Sequence, residues 1–376
     1  MPTRTSSSSG RDPSWSSGSA GWPPWSSRGF ATTSTSVSSS AGPFPEPPLQ
    51  EPLAISPDGV LLITGPTAVG KSALGLALAR HAPGEIIVAD SMQVYRGMDV
   101  GTGKPSPAER AAVPHHLLDL CDPTETFSAS AFAARAHALV EEIRRRGRRP
   151  ILVGGTGLYL RAFLKGRLAG TGGDPAIRAR LSREAEALGT QALHDRLRAL
   201  DPATAVRVHP RDLFRTIRAL ELLEMTGRPP SEIRPDLWER PRVAVSALLV
   251  LNREREELYR LIDERARRMW EGGLLEEVRR LLAAGYGPDL RTLKSLGYRQ
   301  AVAHLEGRLS EGEALTAMQR ATRNYARRQL TWFRREPAAQ WVTVRGWEWI
   351  EPLAEQLLGR LAQPQAPTKY RMTDVK

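Results

Sequence analysis

The chain has 376 residues, enough for one large domain or two ordinary ones, and 41% of them are hydrophobic. Its formal net charge of +12 favours a polyanionic partner, nucleic acid or an anionic membrane surface, unless the excess is only a solvated basic face. The single cysteine, Cys121, excludes an internal disulfide framework and a cysteine-based zinc site and suits a reducing compartment, and no apolar run approaches the roughly 18 residues of a membrane span.

Residues 1–54 are rich in Ser, Thr, Pro and Gly, lack helical or strand periodicity, and are expected to be disordered. Poor in acids and carrying Arg4, Arg11 and Arg28, they read either as a targeting segment without a convincing amphipathic helix or as a dispensable extension. The ordered chain is expected from residue 55. VLLITG, from Val60, has the composition of a buried strand, and KSALGLALARHA, from Lys71, is apolar at helical spacing. EIIVADS, from Glu85, reads as a second strand. The loop QVYRGMDVGTGKPSPAERAAVPHHLLDL leads to a helix over about Ser128 to Arg146. RRPILVGGTGLYL is a strand running into a glycine turn and a helix, and VAVSALLVLN, Val243 to Asn252, is the last clear strand. Strands alternating with helices predict an α/β fold, a parallel sheet with helices on both faces.

Residues 173–235 change in texture. PAIRARLSREAEAL, TQALHDRLRAL and RDLFRTIRALELLEMTG are successive helical patterns broken at Gly189, Asp201-Pro202 and Gly227. They predict a helical insertion domain within a core built from 55–172 and 236–365. The C-terminal region is also helical, notably Glu313 to Arg335, and 366–376 is expected to fray. In that helix Arg320, Arg323, Arg327 and Arg334 share one face, and Met318, Thr322, Tyr325 and Trp332 another. One side therefore packs while the other meets RNA phosphates, solvent or another anionic surface.

GPTAVGKS, Gly65 to Ser72, has the spacing of a phosphate-binding loop and stands between a strand and a helix, the context that motif requires. Gly65 and Gly70 let the backbone of Pro66, Thr67, Ala68 and Val69 curl with its N–H groups inward, and the helix N-terminus adds its positive dipole end. Lys71 reaches phosphate oxygens and Ser72 offers its hydroxyl to Mg²⁺. The loop does not name the reaction. Asp90 closes the apolar run EIIVAD, and a carboxylate at a carboxyl strand end points into the crevice of an α/β sheet. Spacing alone leaves open whether Asp90 holds Mg²⁺ or acts as a base.

GPTAVGKS, ADSMQVYRGMDVGTGKP, PHHLLDL, ILVGGTGLYLRAFLKG and LKSLGYRQ, in that order between about Leu61 and Trp332, together resemble the tRNA dimethylallyltransferases, also called tRNA isopentenyltransferases, of bacterial type. The resemblance implies a P-loop NTPase-like fold whose loop binds the diphosphate of dimethylallyl diphosphate. It implies transfer of the five-carbon group to N6 of the adenosine 3′-adjacent to the anticodon, position 37, in tRNAs reading codons that begin with U. The products are N6-dimethylallyladenosine and diphosphate. By the same resemblance Asp90 is the base, Thr67 the hydroxyl near the reacting centre, and Arg265, in LIDERARRM, a diphosphate-binding arginine. Lys71, Ser72 through Mg²⁺, and the loop amides then meet charge growing on the leaving diphosphate.

The implied RNA contacts are Asp90, Ser91, Met92 and Gln93 in one loop, with Thr156 and Arg178 singly. Two further segments follow: Phe214, Arg215, Thr216, Ile217 and Arg218, and then Lys294, Ser295, Leu296, Gly297, Tyr298 and Arg299. Basic side chains neutralise phosphates, and Phe or Tyr stacks on splayed-out bases. The implied partners are the tRNA anticodon stem–loop and dimethylallyl diphosphate, with Mg²⁺ as cofactor, no membrane, and a cytoplasmic monomer. Ser72 stands where the family often has Thr, Gly170 to Gly173 replace a Pro-containing linker, and the chain ends at DVK without the zinc finger of some eukaryotic members. A P-loop small-molecule kinase is the alternative. It shares the loop, Ser72–Mg²⁺ and an aspartate base, but leaves FRTIR, KSLGYR and the basic stripe unexplained. A non-catalytic RNA-binding protein would have no use for Asp90.

Overall fold

The computed structural model describes residues 53, 55–56, 59–168, 173–233, 238–239 and 243–362. The expected disordered extension apart from Leu53, the linker residues 170–172 and the fraying tail lie outside the described residues. The core begins with β1 (Val60–Thr64), α1 (Lys71–His81), β2 (Gly84–Ala89), α2 (Pro107–Ala112), β3 (His115–His116), α3 (Ala129–Arg145), β4 (Arg149–Gly154) and α4 (Gly157–Lys165). Then β5 (Arg167–Leu168) leads to α5 (Pro175–Leu188), α6 (Thr190–Leu200), α7 (Pro202–Ala205), α8 (Leu213–Thr226) and β6 (Trp238–Glu239). The core resumes with β7 (Val245–Asn252), α9 (Arg255–Met269), α10 (Leu275–Ala283), α11 (Tyr298–Leu305), α12 (Glu311–Phe333), β8 (Ala339–Thr343) and α13 (Ile350–Ala362).

Six strands form one parallel sheet in the order β3-β2-β4-β1-β7-β8. β1 lies near its centre, with Leu62 opposite Leu152 of β4 and Leu248 of β7. Both of its faces are covered, which is why its sequence runs apolar without alternation. Leu61 and Ile63 join one core layer with α1 and α13, and Val60 and Leu62 join the other with α3, α4 and the C-terminal helices.

The structure corrects two readings. Val243 to Asn252 is not the last strand: β8 follows and pairs with β7, Val250 opposite Trp341. It is an edge strand with a single buried side chain, Val342, so it lacks the apolar run that marks its neighbours. The long loop before α3 also contains α2 and β3. The signal for α2 was present: Ser106 accepts from Glu109 N while the Glu109 carboxylate accepts from Ser106 N, a capping box with Pro107 in the first turn.

The inserted helices break where expected. Gly189 and Gly227 take positive φ of 86° and 64° at helix ends. The Asp201 carboxylate accepts from Thr204 N and from Ser231 N, each at 2.9 Å, capping α7 and fastening the segment after α8. β5 and β6 pair antiparallel at the two ends of the insertion. Its helices bury Leu181, Leu193, Leu197 and Leu220 against one another, in a cluster separate from the two sheet layers. No helix among the described residues is long and apolar enough to cross a membrane. Leu197→Ala should therefore destabilise the insertion by about 2–5 kcal/mol, as for other fully buried leucines. Hydrogen exchange should accelerate in α5, α6 and α8 while β1, β4 and β7 stay protected.

Candidate active site

The carboxyl ends of β1, β2 and β4 lie side by side at one edge of the sheet, where a parallel α/β fold opens its crevice. Thr64 donates its hydroxyl to Gly154 O at 2.8 Å, aligning the ends of β1 and β4. Beyond it the chain curls into α1 through Gly65 and Gly70, at φ of 139° and 113°. A Cβ at Gly65 would also overlap the Leu251 carbonyl of β7. Arg253, 2% exposed, fixes the loop from behind by donating to Val69 O and to Gly346 O, each at 3.0 Å, with Glu257 as its counter-charge.

Two cations stand at the loop. Lys71 donates from Nζ to Pro66 O at 2.6 Å, and Arg265, on α9, donates to Thr67 Oγ1 at 2.6 Å. Both partners are neutral oxygens. Burial first, and the Arg265 cation second, lower Lys71 from 10.5 to about 7 against the opposing pull of Asp90. Burial lowers Arg265 as well, again opposed by Asp90. Gly103 lies directly against the Arg265 guanidinium, where any Cβ would overlap it.

Asp90 follows the last residue of β2 and accepts from Met92 N at 2.8 Å. The next residue, Ser91, donates its backbone N–H to Thr156 Oγ1 at 3.0 Å, joining the loop after β2 to the start of α4. Tyr325, on α12, shares a hydrogen bond with Thr156, and burial and then Asp90 hold its hydroxyl above the ordinary range. A carboxylate therefore sits beside two desolvated cations and a curled loop. That set of groups suits a multiply charged anion next to a proton acceptor.

Residues 93–336, more than half of the chain, match the family model for IPP transferase. The chain belongs to the IPP transferase family. It is 49% identical over 283 residues to the tRNA dimethylallyltransferase of Geobacter sulfurreducens, across 75% of this chain and 91% of that relative. It is 49% identical over 310 residues to that of Anaeromyxobacter dehalogenans, across 82% and 98%. Among solved structures it resembles the full-length tRNA isopentenylpyrophosphate transferase of Bacillus halodurans, with 38% identity and a TM-score of 0.58 over 81% of this chain and 97% of that one. A eukaryotic dimethylallyltransferase acting on tRNA aligns with a TM-score of 0.62 at 28% identity, over 73% and 70% of the two chains.

In this IPP transferase the residues expected to meet RNA have different surroundings. Phe214 is 76% exposed and Arg215, Lys294 and Arg299 are also in water. Ser91, Met92 and Thr156 are half-buried, while Gln93 is buried and donates to the carbonyls of Thr102 and Gly103 at 3.1 and 3.2 Å. Leu296 is half-buried, Gly297 turns at φ 90°, and the buried Ser295 Oγ has no partner among the described residues. Arg178 and Arg218 both pair with the buried Glu221, at 2.7 and 2.6 Å. On α12 Arg323 pairs with Asp263, whereas Arg320, Arg327 and Arg334 are exposed.

Three expected contacts need correction. Thr216 points inward and donates to Asp212 O at 2.9 Å, and Ile217 belongs to the insertion's core. Tyr298 is fully buried and donates to Glu277 at 2.5 Å. The period of α8 turns the Thr216 and Ile217 side chains to the interior, and Glu277 and Gly101 enclose that of Tyr298, so none of the three faces outward in this structure.

Sequence reasoning missed two residues altogether. Glu277, on α10 and fully buried, accepts from the N–H groups of Asp99, Val100 and Gly101 at 2.8, 2.7 and 3.1 Å, and from Tyr298. Gln329, on α12 and 6% exposed, accepts from Thr67 N and donates to Gly155 O, each at 2.9 Å. Gln329 had a readable signal, a polar residue in the buried row of Met318, Thr322, Ala326 and Phe333. Glu277 had none, since its backbone donors lie 176 to 178 residues away in the chain.

The depressed Lys71 makes a signed prediction. By pH 8 its amine is largely neutral, and a bound anion restores the preference for the charged form. Inorganic pyrophosphate binding at pH 8 should therefore draw a proton onto Lys71, and this uptake should vanish well below pH 7. Calorimetry in buffers of different ionisation enthalpy measures it, and Lys71→Met should abolish the uptake.

Proposed function

We propose that the chain transfers the dimethylallyl group of dimethylallyl diphosphate to N6 of adenosine 37 in tRNAs reading codons that begin with U. The observation that carries this reading is the meeting of Lys71, Arg265 and Asp90 at the phosphate loop. The loop amides and both cations hold the diphosphate. Asp90 stands ready for the proton of the adenine amine, whose lone pair is weakened by delocalisation into the ring. The bond from N6 to the allylic carbon forms as the carbon–oxygen bond breaks. Its electron pair leaves on the diphosphate, where Lys71, Arg265 and the amides meet the growing charge, and the amine proton passes to Asp90. Thr67, bonded to Arg265, sits at the reacting centre.

Mg²⁺ fits this donor set. Ser72 offers an exposed hydroxyl on the first turn of α1, and the diphosphate supplies further oxygens. Ser72 would hold the ion through that hydroxyl, together with oxygens of the diphosphate itself. When bound, the ion neutralises part of the diphosphate charge.

The insertion, residues 173–235, and the basic face of α12 are the RNA side of a monomeric, cytoplasmic enzyme with its core in 55–172 and 236–365. The target adenine must leave its stack to reach the loop, at about a few kcal/mol. The exposed ring of Phe214 suits stacking on a splayed base, and Arg320, Arg327 and Arg334 suit phosphates.

The direct test incubates the protein with labelled dimethylallyl diphosphate and unmodified tRNA, then analyses the nucleosides. Asp90→Asn should transfer about 10²–10⁴-fold more slowly while still binding tRNA. Absence of prenylated adenosine with the wild-type protein, or phosphate transfer from ATP in its place, would favour the kinase reading. On the RNA side, Phe214→Ala should weaken tRNA binding by about 5- to 150-fold, the worth of one stacked base. Pyrophosphate binding should be untouched, which fluorescence titrations of both ligands would check.

A further inference from the structure

The Pro66–Thr67 peptide is held at both ends. Its carbonyl, Pro66 O, accepts from Lys71, and its N–H, on Thr67, donates to Gln329 Oε1 at 2.9 Å. The other end of the Gln329 carboxamide donates to Gly155 O at 2.9 Å, in the turn between β4 and α4. Gly155 has no side chain for a geometric reason: a Cβ there would overlap Gln329 Nε2. Gln329 is nearly sealed from water, so each of its polar atoms depends on these partners. Trp332, one turn further on, packs over Gly157, where a Cβ would overlap its indole. The α12 helix is thus seated on two glycines, Gly155 in the turn after β4 and Gly157 at the start of α4, and from that seat a single amide reaches the phosphate loop.

We infer that Gln329 is a positioning residue that sets the plane of the Pro66–Thr67 peptide, and through it the facing of Thr67 and Lys71 toward the diphosphate. Only a group with an acceptor at one end and a donor at the other satisfies both Thr67 N and Gly155 O. Without it the peptide is free to rotate. Thr67 Oγ1 then loses its fixed place under Arg265, and Lys71 its resting partner. The inference deepens the proposed transfer reaction and rests on that reading for its catalytic meaning. Its binding part stands by itself.

The test uses the full chain and inorganic pyrophosphate, with wild-type affinity measured alongside at every pH so that titrations of the ligand and of Lys71 cancel in the ratio. Q329L has neither donor nor acceptor and should bind pyrophosphate about 10- to 100-fold more weakly at every pH. Q329E keeps the acceptor but, when ionised, sets a carboxylate oxygen against Gly155 O. It should be equally weak at pH 8.5 and should recover toward wild type by pH 6, where the protonated acid again donates. G155A, in a different loop, should reproduce Q329L by pushing the amide aside. Affinity for tRNA should stay within about twofold in all three, and in transfer assays the defect should fall on the dimethylallyl diphosphate KM and on kcat. Wild-type pyrophosphate affinity in Q329L would overturn the inference. So would a Q329E ratio that does not change with pH, or tRNA binding lost in step with pyrophosphate. Failure of the wild-type protein to prenylate tRNA would sink the proposed reaction while leaving the pyrophosphate result to decide the role of Gln329.

Discussion

Two positive charges held together and partly withdrawn from water are the constraint around which the rest of the structure is arranged. Lys71 and Arg265 repel one another, and both are disfavoured by burial. Asp90 offsets them only in part. The site therefore favours a ligand that brings negative charge. Everything near it restricts how that charge can be met. Arg253 holds the loop from behind, Gly103 lets a second loop lie on the Arg265 guanidinium, and Gly65 lets the turn pass under β7. A loosely built loop would swing Lys71 into solvent and lose the affinity for an anion that burial creates.

The basic helices follow a different logic. Several of their arginines are already paired within the protein. Glu221 takes Arg178 of α5 and Arg218 of its own helix and also accepts from Asp174 N at 2.7 Å, so the Arg178 pair seats α5 against α8 while Arg218 adds a second counter-charge. Arg323 joins α12 to α9 through Asp263 in the same way. The exposed excess lies on other residues, such as Arg320, Arg334 and Arg327, which donates only to the neutral Asn324 among the described residues. Net charge alone thus overstates the surface open to a polyanion, and position on each helix decides which cations remain available.

Much of this was legible in the sequence where local chemistry and tertiary role coincide. The run from Val60 through Ser72 carries its strand, turn and helix in consecutive residues, and a doubly covered strand has no need of alternation. Legibility failed where a residue's role is set by something distant. β8 is an edge strand, recognisable only from its pairing with β7. Phe214 and Tyr298 read alike as aromatic residues in RNA-contact segments, yet one is exposed and the other sealed. On α8 the buried stripe is Leu213, Ile217 and Leu220, and Phe214 stands about 100° round the helix from Leu213. Tyr298 opens α11 directly over Gly101, and only the fold brings those two together.

Glu277 has a consequence for how the molecule can change. Its carboxylate gathers three backbone N–H groups of one loop and the hydroxyl of Tyr298 from another segment, and a Cβ at Gly101 would overlap the Tyr298 ring. The stretch from Asp99 to Gly101 and the helix opened by Tyr298 are therefore held as a single unit, although nearly two hundred residues separate them along the chain. A chimera that grafts the loop after β2 from one relative onto another carries its shape across only if positions 277 and 298 travel with it.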